Sequence, residues 1–360
     1  MSGSSLDGLD IAFCELAFAH SETPSLSEWR LLHAETLPFS AHWKAILTAL
    51  PTGSALQLAE VQANFGAHIG DLVNQFLEKH QVVPDFIASH GHTIFHYPDQ
   101  HFTTQIGDGA AIAARTRCTV IDNFRAQDVA LGGQGAPLAP LADRLLFSDY
   151  DFCLNLGGIA NITFRADGGR YVAYDIGGAN QVLNALVQTI DLPYDDKGRL
   201  AASGKLNAKL KALADAPVFF SLPYPKSLDN GWVREALIPL FLNFDCPLED
   251  KLHTLCVHLA EQIAVHIRRT LQTEGVQRPA YQLLATGGGA MNDFLMACIR
   301  QTCAPEKVEI AVPEAAIIGF KEAILMALMG ALRMMEQPNC LSSVTGAARN
   351  AVGGSVHFGQ

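Results

Sequence analysis

The sequence predicts an α/β protein of two closely joined domains, and three observations predict it. Short apolar strands alternate with helical stretches along the chain. At 360 residues the chain is too long for one small core and comfortable for two. Two polar, glycine-bearing turns stand beside strands, Ser2-Gly3-Ser4-Ser5-Leu6-Asp7-Gly8 in one half and Asn155-Leu156-Gly157-Gly158 in the other. They form a faint internal echo with no strict repeat period. Two sheets facing each other, each offering such a turn, would frame a nucleotide cleft between domains.

The first strand is expected over Leu9 to Leu16, where Ile11 and Phe13 alternate with smaller or polar neighbours. Leu58, Val61, Phe65, Ile69, Leu72, Val73, Phe76 and Leu77 recur at helical spacing, which predicts an amphipathic helix over Ser54 to His80. Asp85 to His92 reads as a buried strand with a polar end, Ala110 to Ala114 as a short helix, and Thr119 to Asn123 as a strand. A second unit opens near Asp151. Phe152 to Gly158 runs into Ile159 to Phe164, Asp167-Gly168-Gly169 signals a hairpin, and Tyr171 to Ile176 returns as its partner. Helices follow over Gln181 to Ile190, Leu206 to Ala214 and Leu252 to Gly275, then a strand over Tyr281 to Ala285. The apolar run Ala323 to Leu332 is only ten residues long. A membrane span needs roughly 20, so it reads as part of a buried helix, Ala315 to Leu332.

Composition narrows the function. With 49% hydrophobic and 17% charged residues the chain can bury a large core. A net charge of −11 argues against a general nucleic-acid binder. Glycine-rich turns can still hold a nucleotide through backbone N–H groups. No basic and apolar leader is visible at Met1 to Asp7, and the eight cysteines show no C-x-x-C pair. A cytoplasmic protein with no membrane or nucleic-acid partner is expected; a homodimer is compatible with this reading.

Several segments carry candidate chemistry. The Ser2 to Gly8 turn offers backbone donors and hydroxyls to an anion, with Asp7 placed to hold the magnesium of MgATP; an ordinary flexible terminus is the competing reading. Tyr174-Asp175-Ile176-Gly177-Gly178-Ala179-Asn180 puts a carboxylate at a strand end before two glycines. Asp175 could act as a base there, or simply cap a turn. Gly287-Gly288-Gly289-Ala290-Met291-Asn292 turns a strand into a helix, where glycines could let adenine or ribose lie on the backbone with Asn292 as a polar contact. Gly132 to Pro140 is a glycine- and proline-set loop suited to a substrate or to a hinge. His90, His92 and His96 admit a zinc hydrolase, though no H-E-x-x-H is present; sugar contacts at a strand end explain them better. Glu322 sits inside an apolar helix, where a buried carboxylate must bond a neighbour or face a polar ligand.

Taken in order, these segments resemble the anhydro-N-acetylmuramic acid kinases of the acetate/sugar kinase, heat-shock 70 and actin superfamily. The resemblance is carried by Met1 to Gly8, Ser89-His90-Gly91-His92-Thr93, Gln105-Ile106-Gly107-Asp108, Phe124-Arg125, Asp128, Gly132 to Pro140, Asn155 to Asn161, Asp175 to Asn180, Gly287 to Asn292 and Ser343-Val344-Thr345-Gly346-Ala347. It implies a duplicated, actin-like (ribonuclease H-like) two-domain fold with ATP in the interdomain cleft, one domain being 1–145 plus 318–360 and the other 146–317. It also implies MgATP-dependent opening of 1,6-anhydro-N-acetylmuramic acid and its phosphorylation at the 6-oxygen, a step in peptidoglycan recycling.

By the same resemblance Gly3, Ser4, Ser5, Leu6, Asp7, Gly8, Leu9 and Asp10 line the ATP phosphates. Gly157, Gly158, Gly177, Asn180, Gly287, Gly288, Gly289 and Asn292 complete the nucleotide site. Asp175 activates water, Glu322 helps hold the sugar, and His92, Arg125, Asp128, Gly133 and Gln134 face the substrate. The chain departs from the family at Ser4 (usually Thr), at Ile176, Gly178 and Ala179 in the Asp175 loop, and at Asn123 (usually an acid). The resemblance further implies a short apolar strand ahead of the Met-Ser-Gly turn, which is not seen before Met1. A sugar sensor without ATP turnover is the remaining rival to catalysis.

Overall fold

The alternation around Ile11 and Phe13 becomes β1 (Gly8–Ala19), longer than its apolar pattern because it pairs along its length with β2 (Ser25–Pro38). The computed structural model describes residues 1–3, 6–19, 25–167 and 170–359. Within it the chain divides into Met1–Leu146 with Phe320–Gln360 (unit 1) and Phe147–Gly319 (unit 2).

In unit 1 the expected long helix is Ala55–His80. Ser54 starts it: its hydroxyl accepts from the Gln57 N–H, and the Gln57 side chain accepts from the Ser54 N–H. Phe65, Ile69, Val73 and Phe76 turn inward to a core shared with Leu9, Phe39 and Ile112. The single strand expected over Asp85 to His92 is instead two. β3 (Ile87–Ala88) pairs in parallel with β6 (Val120–Asp122), whereas β4 (His92–Tyr97) pairs with β5 (Phe102–Ile106). Gly91, with φ 69°, turns the chain from one partner to the other. β12 (Ser355–His357) closes the other edge of β6.

Unit 2 holds one five-stranded sheet in the order β11-β10-β7-β8-β9. β7 (Phe152–Leu156), β8 (Ile159–Arg165) and β9 (Tyr171–Gly178) are a meander; β10 (Tyr281–Thr286) and β11 (Val308–Ala311) run parallel to β7. Three antiparallel strands flanked by two parallel ones is the ribonuclease H-like order that the resemblance implies. Arg165 opposite Tyr171 is the last pair of the β8–β9 hairpin; Gly168 and Gly169 of its expected turn lie outside the described residues. The Leu248–Glu274 helix buries Leu252, Leu255, Leu259, Ile263 and Ile267 in the same core as Leu154, Ile162 and Ile176.

The C-terminal apolar run lies in the helix Ala315–Met334, the one helix among the described residues long and apolar enough to cross a membrane. Ile324, Leu328 and Met329 are fully buried in the protein core. Glu322 differs from expectation. It is exposed, although Leu325 and Met326, one turn further on, are buried.

Candidate active site

In unit 1 the amino-terminal turn is built by backbone bonds. Asp10 N–H donates to the Met1 carbonyl at 2.9 Å, Ser2 N–H to Gly91 at 3.3 Å, and Leu6 N–H to Gly3 at 3.3 Å. Ser4 and Ser5 lie outside the described residues. Asp7 is exposed and accepts from the Gly8 N–H. Leu9 and Asp10 belong to β1: the Leu9 side chain is buried in the core, and the Asp10 carboxylate accepts from the Thr36 hydroxyl at 2.6 Å.

The histidines are structural donors and acceptors. Arg125 Nε donates to His90 Nε2 at 2.9 Å, so that nitrogen is unprotonated and the Nδ1–H faces the Gly91 carbonyl. Burial, with the Arg125 charge beside it, pushes the His90 pKa down to about 3. His92 Nδ1 meets the Ser2 hydroxyl, and His96 Nδ1 the Thr103 hydroxyl. No group of three His, Cys, Asp or Glu side chains among the described residues is placed to hold a metal ion. The zinc reading of His90, His92 and His96 therefore has no geometric support.

Asp128 is completely buried; one carboxylate oxygen accepts from the Gly135 N–H and the other from the Thr345 hydroxyl. A Cβ on Gly133 would lie 2.3 Å from that carboxylate, so glycine is required for the loop to close over it. Arg125 Nη1 donates to the Gly135 carbonyl at 2.6 Å. Asp128 and Gly133 thus shape the loop, while Gln134 at its tip is exposed. Exposed Glu322 is close enough to act electrostatically on both Arg125 and the Met1 amine.

In unit 2 Asp175 sits on β9 beside an irregularity: Asn161 opposes Asp175 but Ala160 opposes Gly177, leaving Ile176 as the extra residue. Such a bulge re-aims the side chains beside it. One Asp175 oxygen accepts from the Leu228 N–H at 2.7 Å, and the Asp175 N–H donates to the Lys226 carbonyl at 3.1 Å. Half-burial raises the Asp175 pKa; the Leu228 bond and the Lys226 charge oppose the rise. Lys226 itself is held by the Phe219 carbonyl at 2.9 Å and His266 Nε2 at 3.1 Å. Burial, then the Arg269 charge, lowers the Lys226 pKa to about 8. Sequence reasoning missed Lys226; the only signal is its place after Pro223-Tyr224-Pro225, a segment unable to form a central strand.

The glycines divide by role. Gly157 and Gly158 have room beside them, and Gly288 is exposed. Gly177 and Gly178 are different, because a Cβ there would meet Phe220 at 3.1 Å or Val233 at 2.9 Å. Cβ atoms on Gly287 and Gly289 would each press on the Asn155–Leu156 corner at 2.7 Å. A side chain at any of these four would disturb the local packing. Asn180 Nδ2 donates to the Leu156 carbonyl, and Asn292 caps the Asp293–Cys303 helix through its side-chain oxygen, so both are engaged within the protein.

The sequence profile of the anhydro-N-acetylmuramic acid kinases matches residues 1–359. The chain belongs to the anhydro-N-acetylmuramic acid kinase family. The anhydro-N-acetylmuramic acid kinase of Gloeobacter violaceus is 34% identical, covering 99% of this chain and 97% of the relative. Those of Pasteurella multocida and Coxiella burnetii are 32% and 33% identical, covering 95% and 96% of the relatives. Membership makes the chain a kinase of this family.

Proposed function

We propose that the protein uses MgATP and water to convert 1,6-anhydro-N-acetylmuramic acid to N-acetylmuramic acid 6-phosphate in the cytoplasm. The full-length family match carries this reading. The setting of Asp175 supports it. Its second oxygen is free of the Leu228 bond that fixes the first, and its raised pKa makes it a stronger base than an exposed aspartate.

In the 1,6-anhydro sugar the 6-oxygen carries no proton and is bonded to the anomeric carbon. Asp175 takes a proton from water as that water attacks the anomeric carbon. The bond from that carbon to the 6-oxygen breaks, and the freed 6-oxygen takes the γ-phosphoryl group while ADP leaves. Magnesium, when bound, supplies charge neutralisation at the phosphates. In unit 1, Asp7 and the backbone at Gly3, Leu6 and Gly8 are the groups offered to the phosphates of MgATP. In unit 2, taken by itself, Gly157, Gly158 and Gly288 leave room for a ligand against the backbone. Arg125, Gln134 and Glu322 are the unit 1 groups left to address the sugar.

Run in heavy-oxygen water and sampled promptly, the reaction places the label on the anomeric hydroxyl and none in the phosphate ester bridge. Label in released inorganic phosphate, with the sugar unlabelled, would make the protein an ATPase and end this reading.

A further inference from the structure

Two polar side chains of unit 1 meet where a pair of parallel strands ends. β3 and β6 run in register, Ile87 beside Val120 and Ala88 beside Ile121, and the Ser89 N–H continues the ladder to the Ile121 carbonyl. Both chains leave the sheet at the same end, and such carboxyl ends are where parallel strands present polar groups to a ligand. His90 follows β3 there and Arg125 follows β6, 35 positions further on, and the two side chains bond to each other. His90 is only 5% exposed, whereas Arg125 is half-buried.

The bonds around Arg125 fix a plane. Nε donates to His90 Nε2 at 2.9 Å and Nη1 to the Gly135 carbonyl at 2.6 Å, so two of the three guanidinium nitrogens are tied to the protein. The third, Nη2, has no partner among the described residues, which leaves two N–H groups of set direction for a ligand. Each anchor is itself held. The Gly135 N–H donates to the buried Asp128 carboxylate. His90 Nδ1–H donates to the Gly91 carbonyl at 3.3 Å, which leaves the Nε2 lone pair for Arg125. Burial, then the Arg125 charge, pushes the His90 pKa down to about 3, so a proton does not take that lone pair at neutral pH. The corner at Gly91 cannot shift easily either: a Cβ there would lie 2.2 Å from the Ile106 carbonyl oxygen.

We propose that His90 is a positioning residue, which holds the Arg125 guanidinium in the orientation that presents Nη2 to the sugar. The proposal rests on the reading above that Arg125 addresses the sugar. His90 acts through Arg125 and touches no substrate. A mobile arginine loses its side-chain freedom when a ligand arrives, and one already fixed between His90 and Gly135 does not. The His90 bond is the same before and after the chemical step. Its contribution therefore falls on sugar binding, and its loss belongs in KM for the sugar rather than in kcat.

The test is steady-state kinetics of the full chain with 1,6-anhydro-N-acetylmuramic acid and MgATP. His90→Asn keeps an amide N–H for the Gly91 carbonyl but is too short to accept from Arg125 Nε. It should raise KM for the sugar about tenfold and leave KM for ATP and kcat within about twofold. His90→Gln can offer an oxygen near the place of Nε2 and should bring the sugar KM back to within about threefold of wild type. Arg125→Met should raise the sugar KM at least as far as His90→Asn, and the two together should raise it no further. By NMR, the Arg125 Nε–H should exchange slowly with solvent in the wild type and in His90→Gln, and rapidly in His90→Asn. An unchanged sugar KM in His90→Asn, an equal rise in KM for ATP, or additive effects in the double variant would overturn the proposal and leave the reading of Arg125 standing. An unchanged sugar KM in Arg125→Met would end that reading, and the proposal with it. Should His90→Asn not fold, Arg125→Lys decides from the other side. It keeps the charge without a plane or an Nε–H to be held, so the sugar KM should again rise about tenfold, and a wild-type value would overturn the proposal.

Discussion

At the residue scale, the proposed role of Asp175 can be tested together with the charge of Lys226 beside it. An amide at position 175 keeps an oxygen for the Leu228 N–H but cannot take a proton from water. Asp175→Asn should lower kcat by roughly 10²–10⁴ while ATP affinity stays near wild type. Weaker nucleotide binding with kcat intact would make Asp175 structural instead. Because the Asp175 pKa is raised, activity should fall on acidification from a pH above the ordinary aspartate range. The Lys226 charge opposes that rise, so Lys226→Met should move the acid limb of the kcat profile to higher pH. A limb that stays in place would show the lysine to be a packing residue alone.

At the element scale, the Gly132 to Pro140 loop depends on one buried carboxylate. Asp128 accepts from Gly135 N–H and Thr345 Oγ1, and an asparagine can accept with only one of its two terminal atoms. Asp128→Asn should cost about 1–3 kcal/mol in denaturant unfolding and raise KM for the sugar more than KM for ATP. Unchanged sugar KM in the folded variant would separate the loop from sugar binding. The Ala55–His80 helix offers a simpler case. Its extent was legible from the apolar stripe, and the structure adds the capping box of Ser54 and Gln57 at its start. Ser54→Ala should destabilise by about 1 kcal/mol, read as a lower denaturation midpoint at unchanged m-value. β2 was not legible, because its exposed charges hide any alternation until β1 is beside it.

At the scale of the whole molecule, acid stability should trace to a half-buried network around Asp215. Burial pushes the Asp215 pKa up, but hydrogen bonds from His258 and Lys211 outweigh it and hold the carboxylate well below its ordinary value. A depressed carboxylate contributes stability that is complete above its unfolded value, near 4, and is lost as pH falls through the folded value. Asp215→Asn should therefore flatten the fall of Tm below about pH 4 and lower Tm at neutral pH. An acid limb identical to wild type would place the pH dependence elsewhere.

By itself the sequence determined the family, the order of most strands and helices, and the carboxylate at the end of β9, since these rest on local spacing and on residues near one another in the chain. Only the tertiary structure decided which side chains remain available to a ligand. That Asp128 is buried and bonded to Thr345, 217 positions away, only the structure shows. Glu322 reads as buried until its helix is docked with that position outward. Asp175 gains its second partner from Leu228, 53 positions on, and Gly178 owes its identity to Val233. The physical reason is common to all four. A polar group's chemistry is set by what removes it from water and what bonds to it there, and those neighbours are brought close by packing, which no local pattern encodes.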